Sequence, residues 1–255
     1  MKEYRAWCFD LDGTVYRGAE PIPETVSFIR KLREKGAGVF FVTNNSALTP
    51  ENQAEKLARM GIAAAPEEIM TSSVATADHL LKNHGPLPVY MIGEEGLRTA
   101  LMSAGHRIVQ ESPEAVVVGI DRGITYDKLA NASLAVSAGA AFVATNSDKA
   151  YPTERGLVPG NGAFAGLIEL ATGVAPFYIG KPAVPMLQAL ADRHGLKKEE
   201  MIMVGDNYET DITAGIRFGI DTLHVDTGVT RTGDLAKYEE QPTYALGSLD
   251  GWIEN

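Results

Sequence analysis

The chain has 255 residues, 45% of them hydrophobic, with a net charge of −10 and a single cysteine. That length suits one large α/β domain or two modest ones, the acidity argues against a nucleic-acid polymer or an anionic membrane as partner, and one cysteine excludes an intrachain disulfide. No apolar run approaches the ~18 residues of a membrane span. The mixed-charge opening Met1-Lys2-Glu3-Tyr4-Arg5 does not read as a signal peptide, so a cytoplasmic location is expected.

In chain order, Ala6 to Phe9 reads as a short buried strand in which Cys8 is a packing residue. Helical periodicity runs from Glu24 to Lys35 with Gly36 as its stop. Gly38 to Val42 is a second buried strand ending in Thr43-Asn44-Asn45-Ser46. Pro50 opens a helix towards Met60. Glu68 to Thr71 is a short strand and Ser72 to Asn83 a helix.

The texture shifts at Gly85-Pro86-Leu87-Pro88. From there, Val89 to Ile92, Ala115 to Gly119 and Ala141 to Ala144 read as strands, and Gly96 to Ser103 and Tyr126 to Ser137 as helices. A long Gly/Pro-rich loop is expected from Lys149 to Gly162, and such loops are often functional. The first texture then resumes, with a helix over Pro182 to His194, a strand over Met201 to Val204 ending in Gly205-Asp206, a helix after Thr210 stopping at Gly219, and a strand over Asp221 to Val225. Alternating strands and helices imply a mainly parallel sheet covered on both faces. Ligands of such folds bind beyond the carboxyl ends of the strands, where Asp10, Asp12, Thr43, Asn44 and Asp206 fall.

Asp10 and Asp12 stand two residues apart at a strand tip, so strand geometry places them on one side. Two carboxylates that close need a proton or a cation between them. Asp10, Asp12 and Asp206 are hard oxygen donors suited to Mg²⁺. Thr43 offers a hydroxyl, the Asn44 backbone an N–H, and Lys181 in Gly180-Lys181-Pro182 a charge able to neutralise phosphate. Phosphoryl transfer asks mainly for positioning and cancellation of negative charge. One carboxylate can attack as nucleophile, and a second can protonate the leaving oxygen and then activate water. The five histidines show no metal-binding spacing, which argues against zinc. Each residue also has an ordinary reading: Asp12-Gly13-Thr14 as a turn, Lys181 as a solvated lysine, and Asp211 as an early-helix carboxylate.

Taken together, these segments resemble a known family. Asp10-Leu11-Asp12-Gly13-Thr14 is similar to the first motif of the haloacid dehalogenase-like phosphohydrolases, Val42-Thr43-Asn44-Asn45 to the second, Gly180-Lys181-Pro182 to the third, and Gly205-Asp206 through Asp211-Ile212 to the fourth. The Thr-Asn-Asn form of the second motif, the late Gly-Lys-Pro and the α/β insert resemble the NagD-like group, which includes p-nitrophenyl phosphatases and sugar or nucleotide phosphatases.

The resemblance implies a Rossmann-like parallel-sheet core over residues 1–84 and 179–255, with an inserted α/β cap over 85–178. It implies that Asp10 is nucleophile and Mg²⁺ ligand, and that Asp12 is the general acid/base, with its backbone carbonyl on the metal. Thr43 and Asn44, with Asn45 beside them, bind the phosphoryl group. Lys181 offsets charge on Asp10 and phosphate, Asp206 ligates Mg²⁺, and Asp211 joins the metal site by orienting its water. Tyr151, in the expected loop, is the candidate leaving-group contact. The expected activity is hydrolysis of a small phosphorylated metabolite, with p-nitrophenyl phosphate as an artificial substrate. The alternatives are a phosphotransferase or mutase on the same chemistry, and a receiver-like phospho-aspartate signalling module. The resemblance is also compatible with a homodimer through the cap.

Overall fold

The computed structural model describes residues 2–153, 155–249 and 252. The chain divides into two compact units. The first comprises Met1–Thr43, Glu51–Met70 and Lys181–Asn255, and the second Asn44–Pro50 and Thr71–Gly180. The helix Ser72–His84 is thus grouped with the second unit.

The first unit is built on a six-stranded sheet in the order Tyr244–Leu246, Asp221–Val225, Met201–Gly205, Ala6–Phe9, Gly38–Thr43, Ile69–Thr71. Ala6–Phe9 is buried throughout and runs parallel to both neighbours, with Phe9 opposite Val204 on one side and Phe41 on the other. A strand covered on both faces has no polar face to show, which is why its sequence does not alternate. Burial pushes the Cys8 thiol in this strand up to about 12, so it is an inert packing group. The helix Pro23–Glu34 buries Thr25, Phe28, Ile29 and Leu32, the i, i+3, i+4, i+7 stripe of a helix laid on a sheet. Phe28 meets the edge of Trp7 with ring centroids 5.1 Å apart.

This order has one consequence for function. The chain enters at Ala6–Phe9 in the middle of the sheet, continues to Gly38–Thr43 on one side, and returns to Met201–Gly205 on the other. Successive strands leaving in opposite directions open a crevice at their carboxyl ends. Residues 10, 43 and 206 stand at its rim.

The second unit has its own five-stranded sheet, ordered Phe177–Tyr178, Ala141–Ala144, Ala115–Val118, Pro88–Ile92, Arg107–Ile108, all parallel. Tyr90, Ile92, Val116, Val118, Phe142 and Ile168 form its core.

Several elements differ from the sequence reading. The loop expected from Lys149 to Gly162 holds an antiparallel hairpin, Ala150–Thr153 with Gly156–Pro159; Glu154 lies outside the described residues. The helix Asn161–Thr172 follows, in a stretch where small residues mute the periodicity. The helix expected from Pro182 begins at Pro185, because residues 182–184 form a turn and Pro185 takes the first helical position. The helix expected after Thr210 is a wide turn over Tyr208–Ile212 that leads into Thr213–Phe218. The strands Arg107–Ile108, Phe177–Tyr178 and Tyr244–Leu246 are too short for a period-two pattern to mark them.

Candidate active site

Asp10 follows the last residue of the central strand, and its N–H donates to the Val204 carbonyl at 2.9 Å. The chain then coils tightly, with the N–H groups of Val15 and Tyr16 both donating to the Leu11 carbonyl, at 2.8 and 3.2 Å. The strand ends at Phe9, so its period of two does not carry on to Asp12, and the carboxylate cluster that includes Asp10 does not include Asp12. Asp12 is exposed and accepts a hydrogen bond on Oδ2 from Tyr16 Oη at 3.2 Å. Gly13 allows the coil: its φ is +93°, and a β-carbon there would lie 2.5 Å from Asp206 Oδ2.

Asp206, just past Met201–Gly205, is fully buried. Its Oδ1 accepts from Thr14 Oγ1 at 2.8 Å and its Oδ2 from the Val229 N–H at 2.7 Å. Asp211, also buried, sits in the wide turn Tyr208–Ile212 and accepts from the Asn207 N–H at 3.1 Å. Gly205 makes room for it, since a β-carbon there would come within 2.2 Å of Asp211 Cβ. Lys181 is 1% exposed. Its ammonium donates to the Val42 carbonyl at 2.9 Å, lies 2.8 Å from Asp211 Oδ1, and pairs with Asp10 Oδ1.

One carboxylate oxygen from each of Asp10, Asp206 and Asp211 lies within 4.8 Å of the others. Burial pushes the Asp10 carboxyl well up, Asp211 adds to the rise, and Lys181 opposes both. Asp206 is pushed up to about 6, first by burial and then by Asp211, against the hydrogen bonds from Val229 and Thr14. Burial would lower the Lys181 ammonium, but Asp10 and Asp211 outweigh it and keep the group charged. Lys181 thus pairs with two of the three carboxylates, and the upward shifts at Asp10 and Asp206 show that its ammonium alone does not offset the negative charge the cluster would carry. A set of hard oxygen donors with that excess fits a divalent cation.

The other expected residues are placed as follows. Thr43 closes Gly38–Thr43 in the first unit and is buried, next to the Val42 carbonyl that holds Lys181. Asn44, Asn45 and Tyr151 belong to the second unit. Asn44 Nδ2 approaches both oxygens of Asp148, at 3.1 and 3.3 Å, and its carbonyl accepts from Ser72 and Asn146. Asn45 Oδ1 accepts from the N–H groups of Ala47 and Leu48, an Asx-type turn. Tyr151 is half-buried on the hairpin opposite Val158.

Some of the residues that shape the site carried no role in the sequence reading. Thr14 and Val229 orient Asp206, and Thr227 Oγ1 donates to the Gly13 carbonyl at 2.6 Å. Thr14 lies inside the first motif and was legible there. The 227–229 loop follows the strand Asp221–Val225, which adjoins Met201–Gly205. The neighbourhood of those two strands was the only available signal.

Residues 7–107 match the haloacid dehalogenase-like hydrolase family, and residues 178–252 match a second HAD-hydrolase-like model. The chain is 47% identical over 253 residues to the 5′-nucleotidase YutF of Bacillus subtilis, covering 99% of each chain. It is 46% identical over 251 residues to an acid sugar phosphatase of Staphylococcus epidermidis, covering 98% of this chain and 97% of the other. A mutant of the thermostable p-nitrophenylphosphatase from Bacillus stearothermophilus superposes with a TM-score of 0.91 at 49% identity, over 99% of both chains. The chain belongs to the haloacid dehalogenase-like hydrolase family, in the NagD-like group that its motifs resemble.

Proposed function

We propose that this protein is a Mg²⁺-dependent phosphomonoesterase that hydrolyses a small organic phosphate through an aspartyl-phosphate on Asp10. The observation that carries the proposal is the pairing of Asp10 with buried Lys181 at the rim of the central crevice, with Asp206 and Asp211 alongside. The relatives named as a nucleotidase, a sugar phosphatase and a p-nitrophenylphosphatase support the substrate class.

Asp10, Asp206 and the Asp12 backbone carbonyl would hold Mg²⁺, with Asp211 orienting its water, and the ion would screen the charge of the incoming phosphate. Lys181 holds Asp10 Oδ1, which leaves Oδ2 to form the bond to phosphorus. As that bond forms, the bond from phosphorus to the leaving oxygen breaks with its electron pair. Asp12 gives its proton to that oxygen, then takes one from the water that cleaves the aspartyl-phosphate. Thr43 and the Asn44 N–H hold the transferring group, with Asn45 behind them, and Lys181 neutralises part of its charge. Tyr151 is the proposed contact to the leaving group.

In this reading the substrate is a phosphorylated metabolite, not a nucleic-acid polymer, and the enzyme works in the cytoplasm. Among the described residues no helix is long and apolar enough to cross a membrane. A homodimer through the second unit belongs to the same proposal, supported by its exposed Leu167, Leu170, Val174 and Phe177.

The test is a phosphate-release screen over nucleotides, sugar phosphates, phosphoglycolate and glycerol phosphate, run with Mg²⁺ and with Asp10→Asn as the blank. Release from at least one class, absent in the blank, is expected. Faster loss of the leaving group with added alcohol acceptors, with less inorganic phosphate formed per turnover, would favour a phosphotransferase instead.

A further inference from the structure

We infer that Tyr16, held in place by Gln53, is a positioning residue that aims the Asp12 carboxyl at the leaving-group oxygen; the inference rests on the reading of Asp12 as the acid for that oxygen. Asp12 is exposed, so packing does not select its rotamer. Among the described residues its side-chain partner is the Tyr16 hydroxyl, which donates to Oδ2 at 3.2 Å. That leaves Oδ1 to exchange the proton.

Tyr16 is itself fixed. Its side chain is 1% exposed, and the backbone between the two residues is closed by the bond from the Gly13 N–H to the Tyr16 carbonyl at 2.8 Å. Gln53, also 1% exposed, donates Nε2 to Tyr16 Oη at 3.3 Å. One turn on, Lys56 Nζ lies 3.9 Å from the centre of the Tyr16 ring. Gln53 and Lys56 share one face of the helix Pro50–Arg59, so that helix holds the phenol at its ring and at its hydroxyl.

The Gln53 bond also sets direction. A phenol has one proton to give. With an amide N–H pointing into its oxygen, Tyr16 keeps that proton for Asp12. The chain Gln53 to Tyr16 to Asp12 is therefore polarised towards the carboxylate, across 37 residues of sequence between the helix and the motif.

A leaving-group comparison separates positioning from packing. p-Nitrophenolate departs with little protonation, whereas an alkoxide needs a well-aimed acid. kcat/KM covers the steps through departure of that group, so it is measured on p-nitrophenyl phosphate and on β-glycerol phosphate at saturating Mg²⁺. In Tyr16→Phe the ratio of aryl to alkyl kcat/KM should rise about 10-fold over wild type. Gln53→Glu puts an acceptor in place of the donor and draws the Tyr16 proton away from Asp12, so the ratio should rise in the same direction. That variant conserves volume and carries the test alone if Tyr16→Phe does not fold. Equal losses on both substrates, or no loss in either variant, would overturn the positioning role while leaving the phosphatase reading intact. A wild type that releases phosphate from neither ester would instead sink that reading, and this inference with it.

Discussion

Gly13 and Asp206 stand so close that the smallest side chain at residue 13 would reach to 2.5 Å from the Asp206 carboxylate. They are almost two hundred positions apart in sequence: Asp206 directly follows the strand Met201–Gly205, and Gly13 lies in the turn after the neighbouring strand Ala6–Phe9. Gly13→Ala would force a side chain into a left-handed conformation and push Asp206 out of its bonds to Thr14 and Val229. The expected result is a loss of more than about 1 kcal/mol in stability, with phosphate release falling by at least about 10-fold. Thermal melts and the phosphate assay check the two parts separately.

Among the described residues, Lys181 is the cation paired with both half-buried Asp10 and buried Asp211. Lys181→Met would leave both without an ammonium partner, and breaking a buried pair from one side costs about 3–5 kcal/mol. Urea unfolding at neutral pH should show that loss. The variant should recover part of it in mild acid, where the stranded carboxylates take up protons.

Metal binding has a readout that does not depend on turnover. If Asp10, Asp206 and the Asp12 carbonyl hold Mg²⁺ beside Asp211, adding the ion to EDTA-treated protein should raise the melting temperature, more so as its concentration increases. The increase should be absent in Asp206→Asn. An equal rise in that variant would place the ion elsewhere.

Away from the site, Asp221 offers a pH test of stability. Partial burial alone would raise its carboxyl, but hydrogen bonds from Lys2 at 2.6 Å and Tyr4 at 2.8 Å outweigh that and hold it below the ordinary carboxylate range. A depressed folded pKa gives stability that is fully present above the unfolded value and is lost as pH falls through the folded one. Asp221→Asn should therefore melt lower than wild type at neutral pH, by under about 1 kcal/mol because Lys2 is exposed. The two melting curves should converge in strong acid.

Much of the site was legible because its residues sit where apolar strands stop. Asp10 and Asp206 each follow a buried run, and the sheet order makes those runs neighbours. Lys181 was legible only through its motif, since a lone Gly-Lys-Pro says nothing about burial. Asp12 shows the limit of the pattern: period two assumes that the strand runs on past Asp10, but it ends at Phe9 and the chain coils onto the Leu11 carbonyl. Tyr16 and Gln53 could not be paired from sequence, because no local rule links a buried tyrosine to a helix 37 residues later. In the second unit, the hairpin Ala150–Thr153 with Gly156–Pro159 lay hidden because glycine and proline usually mark irregular chain.

The most direct measurement is mass spectrometry of protein quenched in acid during turnover of p-nitrophenyl phosphate. The account predicts one added phosphoryl group on the peptide carrying Asp10, and neither the adduct nor phosphate release in Asp10→Asn. Sustained turnover by Asp10→Asn, or a phosphoryl group on any other residue, would contradict it.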